Sequence, residues 1–114
     1  MLAFATIAQV VDALCYRHQL PPCAQYLYRW LLRRVPGGVQ QEIDLNDFDT
    51  FVAEQRGKPY CRKWTRQALY HLSEVGLVTI TKRFNAREFK VIAAHPRELG
   101  SDLEDETGNK VPEL

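Results

Sequence analysis

The residues best suited to chemistry in this sequence are basic and amide side chains in its second half. Between Arg56 and Arg97 there are ten Lys and Arg residues and two acidic residues. Guanidinium and ammonium groups bind phosphate oxygens, and Arg and Gln side chains can each make two hydrogen bonds to the edge of a base. The residues that we expect to bind an anionic polymer are Arg62, Lys63, Arg66, Gln67, Tyr70, Lys82, Arg83 and Arg87.

The positive charge of residues 56–97 is offset by residues 98–114, which hold six acidic residues and one lysine. The formal net charge of the whole chain is therefore only +1. The chain has 114 residues, of which 46% are hydrophobic and 25% charged, and this is typical of one folded domain. We predict a folded domain over residues 1–97 and an acidic tail or linker over residues 98–114.

No set of residues with the spacing of a catalytic or cofactor site is present. His18, His71 and His95 lie on different predicted elements, and neither GxGxxG nor GxxxxGK[ST] occurs. The cysteines are odd in number and form no CxxC pair, so we expect free, mostly buried thiols rather than disulfides or a zinc site. We therefore predict a protein that is not an enzyme and has no cofactor and no metal. The cysteines are Cys15, Cys23 and Cys61.

Hydrophobic periodicity predicts three helices and a short strand ahead of the basic region. Apolar residues spaced three and four apart predict a first helix over 3–17, and Pro21 and Pro22 end it. A second helix is expected over 23–35 and a strand over 39–45. Asn46 is the predicted N-cap of a third helix, which Gly57 ends near Arg56.

The basic residues fall on a fourth helix, predicted over 60–75, and on a β-hairpin that follows it. Gly76 has the position of a left-handed residue just after the helix. Alternating residues then predict strands over 78–84 and 88–93, joined by a turn at 85–87. The helix would carry one apolar stripe and expose its basic row, and the hairpin tip would also be basic.

The order helix, helix, strand, helix, helix, hairpin resembles the winged helix-turn-helix superfamily over roughly residues 24–96. The most specific stretch is RQALYHLSEVGLV, residues 66–78, which is similar to the end of a recognition helix followed by the first wing strand. Two features depart from the pattern: Trp64 stands where a small or hydroxylated residue is usual, and no Ser or Thr caps the fourth helix.

The resemblance implies an α+β, mostly helical fold with an extra N-terminal helix, a three-helix core and a C-terminal wing. It implies sequence-specific binding of double-stranded DNA, typical of a transcriptional regulator, through the helix at about 60–75 and the wing. The alternative is a winged-helix protein-interaction module that binds no DNA. The first helix offers a surface for a homodimer, or else extra core. With no long apolar run and no secretory leader, we expect a soluble cytoplasmic protein without a membrane partner.

Each candidate residue also has a purely structural interpretation. The charges on the fourth helix can form an ordinary solvated face, and the hairpin arginines can simply keep an exposed edge soluble. Trp64 and Tyr70 are more often core or rim aromatics than groups that stack on bases. These alternatives depend on whether the basic side chains share one exposed side of the domain.

Overall fold

The computed structural model describes residues 7–95, which form an α+β domain with four helices and a three-stranded antiparallel sheet. The predicted tail over 98–114 lies outside the described residues, as do residues 1–6 and 96–97. None of the helices described is both long and apolar enough to cross a membrane. The elements are α1 (Ile7–Arg17), α2 (Pro22–Arg34), β1 (Gln40–Asp44), α3 (Leu45–Arg56), α4 (Arg62–Glu74), β2 (Val78–Arg83) and β3 (Glu88–Ala93).

The apolar stripe of α1 is used by the core. Val11, Leu14 and Cys15 are buried, while Tyr16 on another side of the helix is exposed. Helix α2 begins with Pro22, which suits the first helical position because the N–H that proline lacks has no partner there. Both helices end close to their predicted boundaries, since proline and glycine determine those ends.

The N-cap of α3 corrects one prediction. Asp44, not Asn46, is the capping residue, and its carboxylate accepts a hydrogen bond from the Asn46 backbone N–H at 2.9 Å. Both residue types are good caps, so composition alone does not choose between positions two apart. At the other end Gly57 takes the left-handed conformation with φ 94°, as its position predicts.

Helix α4 starts without a side-chain cap, as the absence of Ser and Thr in the preceding turn predicts. The turn is held instead by Arg56, whose guanidinium donates to the Lys58 carbonyl at 3.0 Å and lies over the Tyr60 ring. At the C-terminal end Gly76 has φ 86°, which confirms the left-handed backbone expected there.

The sheet has the order β1-β3-β2, so β3 is central and β1 joins the hairpin from an earlier part of the chain. The hairpin was expected, but the pairing of β1 with β3 was not predicted. Directly opposite residues share a face of the sheet. Ile43, Phe89 and Val91 belong to the buried face, on which the helices pack, whereas Glu42 and Lys90 pair on the outer face at 3.8 Å.

Candidate nucleic-acid interface

Helix α4 has one buried face and one exposed face. Thr65, Ala68, Leu69 and Leu72 are buried and attach the helix to the core. The opposite face carries residues spaced three and four apart, which lie one above another on a helix. These exposed residues are Lys63, Gln67, Tyr70 and Glu74.

Lys63, Arg66 and Gln67 are free to meet a ligand. Among residues 7–95 none of these three side chains has an ion pair or a hydrogen bond. Lys63 and Gln67 are exposed and Arg66 is partly exposed, on the flank of the row. The structure thus brings together one ammonium, one guanidinium and one amide with unused donors along about one turn of helix.

Arg62 is placed differently from its neighbours. Its Nη2 donates to Asp49 Oδ2 and to Asn46 Oδ1, both at 2.6 Å, and its side chain is only 27% exposed. The i, i+4 spacing predicts that Arg62 and Arg66 project side by side. Instead, Arg62 is drawn onto α3 because two acceptors at the start of α3 lie within its reach. Its predicted contact with DNA therefore competes with this internal ion pair.

Arg87 is also engaged within the domain. Its Nε lies 3.3 Å from a carboxylate oxygen of Asp44, and its backbone N–H donates to the Asn85 side chain in the hairpin turn. The Asn46 N–H lowers the pKa of the Asp44 carboxyl below its ordinary value, and the guanidinium of Arg87 lowers it further. Arg87 thereby joins the hairpin tip to the N-terminus of α3 while remaining about half exposed.

A β-bulge exchanges the faces of the sheet on which Lys82 and Arg83 lie. Ile80 pairs with Val91 but Lys82 pairs with Lys90, so Thr81 is an extra residue in β2. Uninterrupted alternation from Val78 would place Lys82 on the buried face. The extra residue instead puts Lys82 on the outer face and Arg83 opposite Phe89, on the side where α4 packs.

Phe89 connects the hairpin to the exposed face of α4. Its buried ring makes an edge contact with the ring of Tyr70, with centroids 6.2 Å apart. The guanidinium of Arg83 lies 5.9 Å from the same ring. Arg83 and Tyr70 therefore both contact the Phe89 ring, so Arg83 shares a contact residue with the exposed row of α4.

Trp64 is a surface residue that the candidate set did not contain. It is 60% exposed and borders a groove of about 410 Å³ between α4 and the start of α2. Its backbone carbonyl lies 3.9 Å from the Cys23 sulfur. The sequence marks Trp64 as unusual, because a small or hydroxylated residue is usual at this place in the winged-helix pattern. The sequence alone does not show whether the side chain is buried or exposed.

Within residues 7–95 the remaining titratable groups form no metal centre. Among residues 7–95 no cluster of three or more His, Cys, Asp or Glu could hold an ion. Burial, with the nearby charges of Arg17 and His71, lowers the pKa of His18. Cys15 and Cys23 are buried free thiols, whereas Cys61 is exposed, so the expectation of mostly buried cysteines holds for two of the three.

In comparisons with known proteins, no family model, no curated protein and no solved structure matches the chain.

Proposed function

We propose that this chain is a winged helix-turn-helix domain that binds double-stranded DNA in a sequence-specific way, as a transcriptional regulator does. In this proposal α3 and α4 are the helix-turn-helix, α4 is the recognition helix and the β2–β3 hairpin is the wing. The observation that carries the proposal is that Lys63, Arg66 and Gln67 lie free along α4 while the opposite side of the helix is buried.

The exposed face of α4 has the chemistry for reading a duplex. The major groove is about 12 Å wide and admits one helix. Arg66 can make two hydrogen bonds to a guanine and Gln67 two to an adenine, whereas Lys63 suits a phosphate oxygen. Tyr70, in the same row, offers an apolar ring beside a hydroxyl group. Together these side chains can recognise bases and neutralise the phosphate charge of the DNA backbone.

The wing contributes mainly through Arg83. Arg83 and Tyr70 both contact Phe89, and Arg83 lies on the side of the sheet on which α4 packs, so this arginine would reach the backbone or minor groove that flanks the recognition helix. Lys82 is on the other face of the sheet, so its contact would come from the edge of the hairpin. Arg62 would contact phosphate by exchanging its carboxylate partner Asp49, whereas Arg87 is about half exposed and could contact phosphate while paired with Asp44.

The test is selection of duplexes from a random pool, followed by fluorescence anisotropy on the selected site. Replacement of a base-reading residue, Arg66→Ala, should cost about 1–3 kcal/mol of binding free energy and relax preference at one base pair. Lys90→Ala is the matched control, since Lys90 lies on the outer face of the sheet, paired with Glu42. Lack of duplex affinity even at low salt would reject the proposal and favour the protein-interaction alternative.

A homodimer through α1 is a separate proposal. The stripe residues Val11, Leu14 and Cys15 are buried within the domain, which favours their role as extra core. Tyr16, at 87% exposed, is the large side chain that α1 would still offer to a second copy. Light scattering on the free chain tests this proposal directly.

A further inference from the structure

The groove beside Trp64 has the volume of a small-molecule site. It lies between α4 and the start of α2, with Pro21 and Cys23 on one side and Trp64, Ala68 and His71 on the other. Its volume of about 410 Å³ falls in the range of pockets that hold small molecules. Ala68 is small, so the α4 side of the groove is left open between the larger rings of Trp64 and His71.

The groove has a carboxylate in its lining and, within the described chain, an unpaired ammonium on the adjacent face of α4. Among residues 7–95 the groove is lined by one carboxylate, that of Glu74, and by no Lys or Arg. Lys63, which precedes Trp64, lies on the adjacent exposed face with its ammonium unpaired within the described part of the chain. A neutral group therefore fits inside the groove, and an anion fits just outside it. A nucleotide has this division, since its base is uncharged and its phosphate is anionic.

The polar atoms in the groove favour a base over an apolar side chain. The Nε2 of His71 is buried and has no hydrogen-bond partner among residues 7–95, and its ring lines the groove next to Gln67. Unpaired buried nitrogens are unfavourable. A base edge that entered with a small adjustment of the His71 ring would supply donors and acceptors, whereas a leucine or phenylalanine side chain would leave this nitrogen unpaired.

We propose that the Trp64 groove binds an unpaired nucleobase, stacked on the indole ring, so that the domain binds single-stranded DNA or a nucleotide extruded from a duplex. Aromatic stacking beside a basic surface is the general mode of single-strand binding and requires no particular sequence. This inference extends the proposed function, because it assigns a second binding mode to the flank of α4 that faces away from Arg62 and α3.

The experiment measures binding of the full chain to an oligothymidylate of about 12 nucleotides and, separately, to a closed hairpin duplex. The chain has two tryptophans, and Trp30 is buried, so quenching of the exposed Trp64 reports stacking directly. We expect quenching by oligothymidylate in the parent chain and none in Trp64→Ala. Labelled-oligonucleotide anisotropy should show about tenfold to hundredfold weaker single-strand binding for Trp64→Ala.

Two further variants distinguish loss of stacking on Trp64 from a nonspecific effect of removing an exposed aromatic side chain. Trp64→Phe should keep most of the single-strand affinity because it retains an aromatic ring. Phe84→Ala, which removes another exposed aromatic side chain at the hairpin, should leave that affinity within about twofold if Trp64 carries the stacking. Duplex binding should change much less than single-strand binding in Trp64→Ala.

The outcomes distinguish this inference from the proposed function. Duplex binding without any oligothymidylate binding or quenching would overturn the inference and leave the proposed function standing. Oligothymidylate binding that Trp64→Ala weakens, with no duplex binding, would support the inference and reject the duplex proposal. Fluorescence that responds to an apolar dye but not to oligothymidylate would mark a protein-docking groove and would also overturn the inference.

Discussion

Arg62 of α4 and Asp49 of α3 form an ion pair with Nη2 and Oδ2 2.6 Å apart, and each side chain is 27% exposed. The same Nη2 donates to Asn46 Oδ1, so one guanidinium holds the start of α4 against the start of α3. Within the described chain, Arg62 Nη1 and Asp49 Oδ1 are buried without partners. The pair links the starts of α3 and α4, and it engages a cation that would otherwise be available to the exposed row.

Removal of one partner of this pair should destabilise the domain. We expect Arg62→Ala to lower the free energy of unfolding by about 1–3 kcal/mol, because Asp49 then loses its charged donor in a partly buried position. In urea unfolding, the double variant Arg62→Ala/Asp49→Ala should lose less free energy of unfolding than the sum of the losses in the two single variants. Strictly additive losses would show that the two side chains do not stabilise each other.

The same pair decides whether Arg62 contributes to binding. If Arg62 reaches phosphate when released, Asp49→Ala should strengthen duplex affinity, and Arg62→Ala in that background should abolish the gain. If Arg62 only positions α4, Asp49→Ala should leave duplex affinity unchanged or weaken it. Anisotropy at one fixed salt concentration separates these results, since affinity depends strongly on salt.

The capping carboxylate of Asp44 should give a pH-dependent contribution to stability. The hydrogen bond from the Asn46 N–H, with help from Arg87, lowers the pKa of Asp44 in the folded chain. A lowered folded-state pKa means that the contribution is complete above the unfolded value of about 3.9 and is lost as the pH falls through the folded value. Asp44→Ala should cost about 1 kcal/mol at neutral pH.

Urea unfolding of the parent chain and Asp44→Ala at a series of pH values checks this prediction. The difference between them should be constant from neutral pH to about pH 5 and should shrink in more acidic solution. A difference that grows on acidification would contradict the capping role.

The three thiols should differ sharply in reactivity. Burial raises the pKa of Cys23 to about 11 and also raises that of Cys15, and the thiolate is the reactive form. Cys61 is exposed at the N-terminus of α4. An aromatic disulfide reagent at pH 8 should titrate one thiol in the native chain and all three in denaturant. Cys61→Ser should remove the fast reaction, and fast reaction of a second native thiol would contradict the burial of Cys15 or Cys23.

The acidic segment over residues 98–114 should compete with DNA for the basic surface. It carries six acidic residues and one lysine, so deletion removes like charge that repels phosphate. We expect a chain that ends at residue 97 to bind duplex more tightly, most clearly at low salt. A matched deletion control replaces the six acidic residues with Gln or Asn in the full chain. Unchanged affinity in both variants would reject competition by this segment.

The sequence predicted the elements that local chemistry determines. Pro22, Gly57 and Gly76 act through the backbone of their own neighbourhood, and the helix and hairpin boundaries near them came out close to expectation. The apolar periodicity of α4 likewise identified its buried face and its exposed row. The placement of Lys63 and Gln67 on the exposed side followed from that periodicity alone.

What the sequence did not predict depends on contacts between distant residues. The addition of β1 to β3 requires partners nearly fifty positions apart, and Arg62 meets Asp49 through the packing of two helices. The bulge at Thr81 breaks a period-two pattern that looks regular in the sequence, and it alone moves Arg83 to the side of α4. Periodicity within one element carries no information about these relationships.

The salt dependence of duplex binding tests the central claim most directly. If the cations of α4 and the wing, with Arg62 and Arg87 included, neutralise about five phosphates, the plot of log K against log salt should have a slope of about −4 to −5. Lys63→Ala should make the slope less steep by about one, and Lys90→Ala, which removes an ammonium already paired with Glu42, should leave the slope nearly unchanged. Equal slopes for the parent chain and Lys63→Ala, or no duplex binding at any salt concentration, would contradict the assignment of the α4 row as a DNA-binding surface.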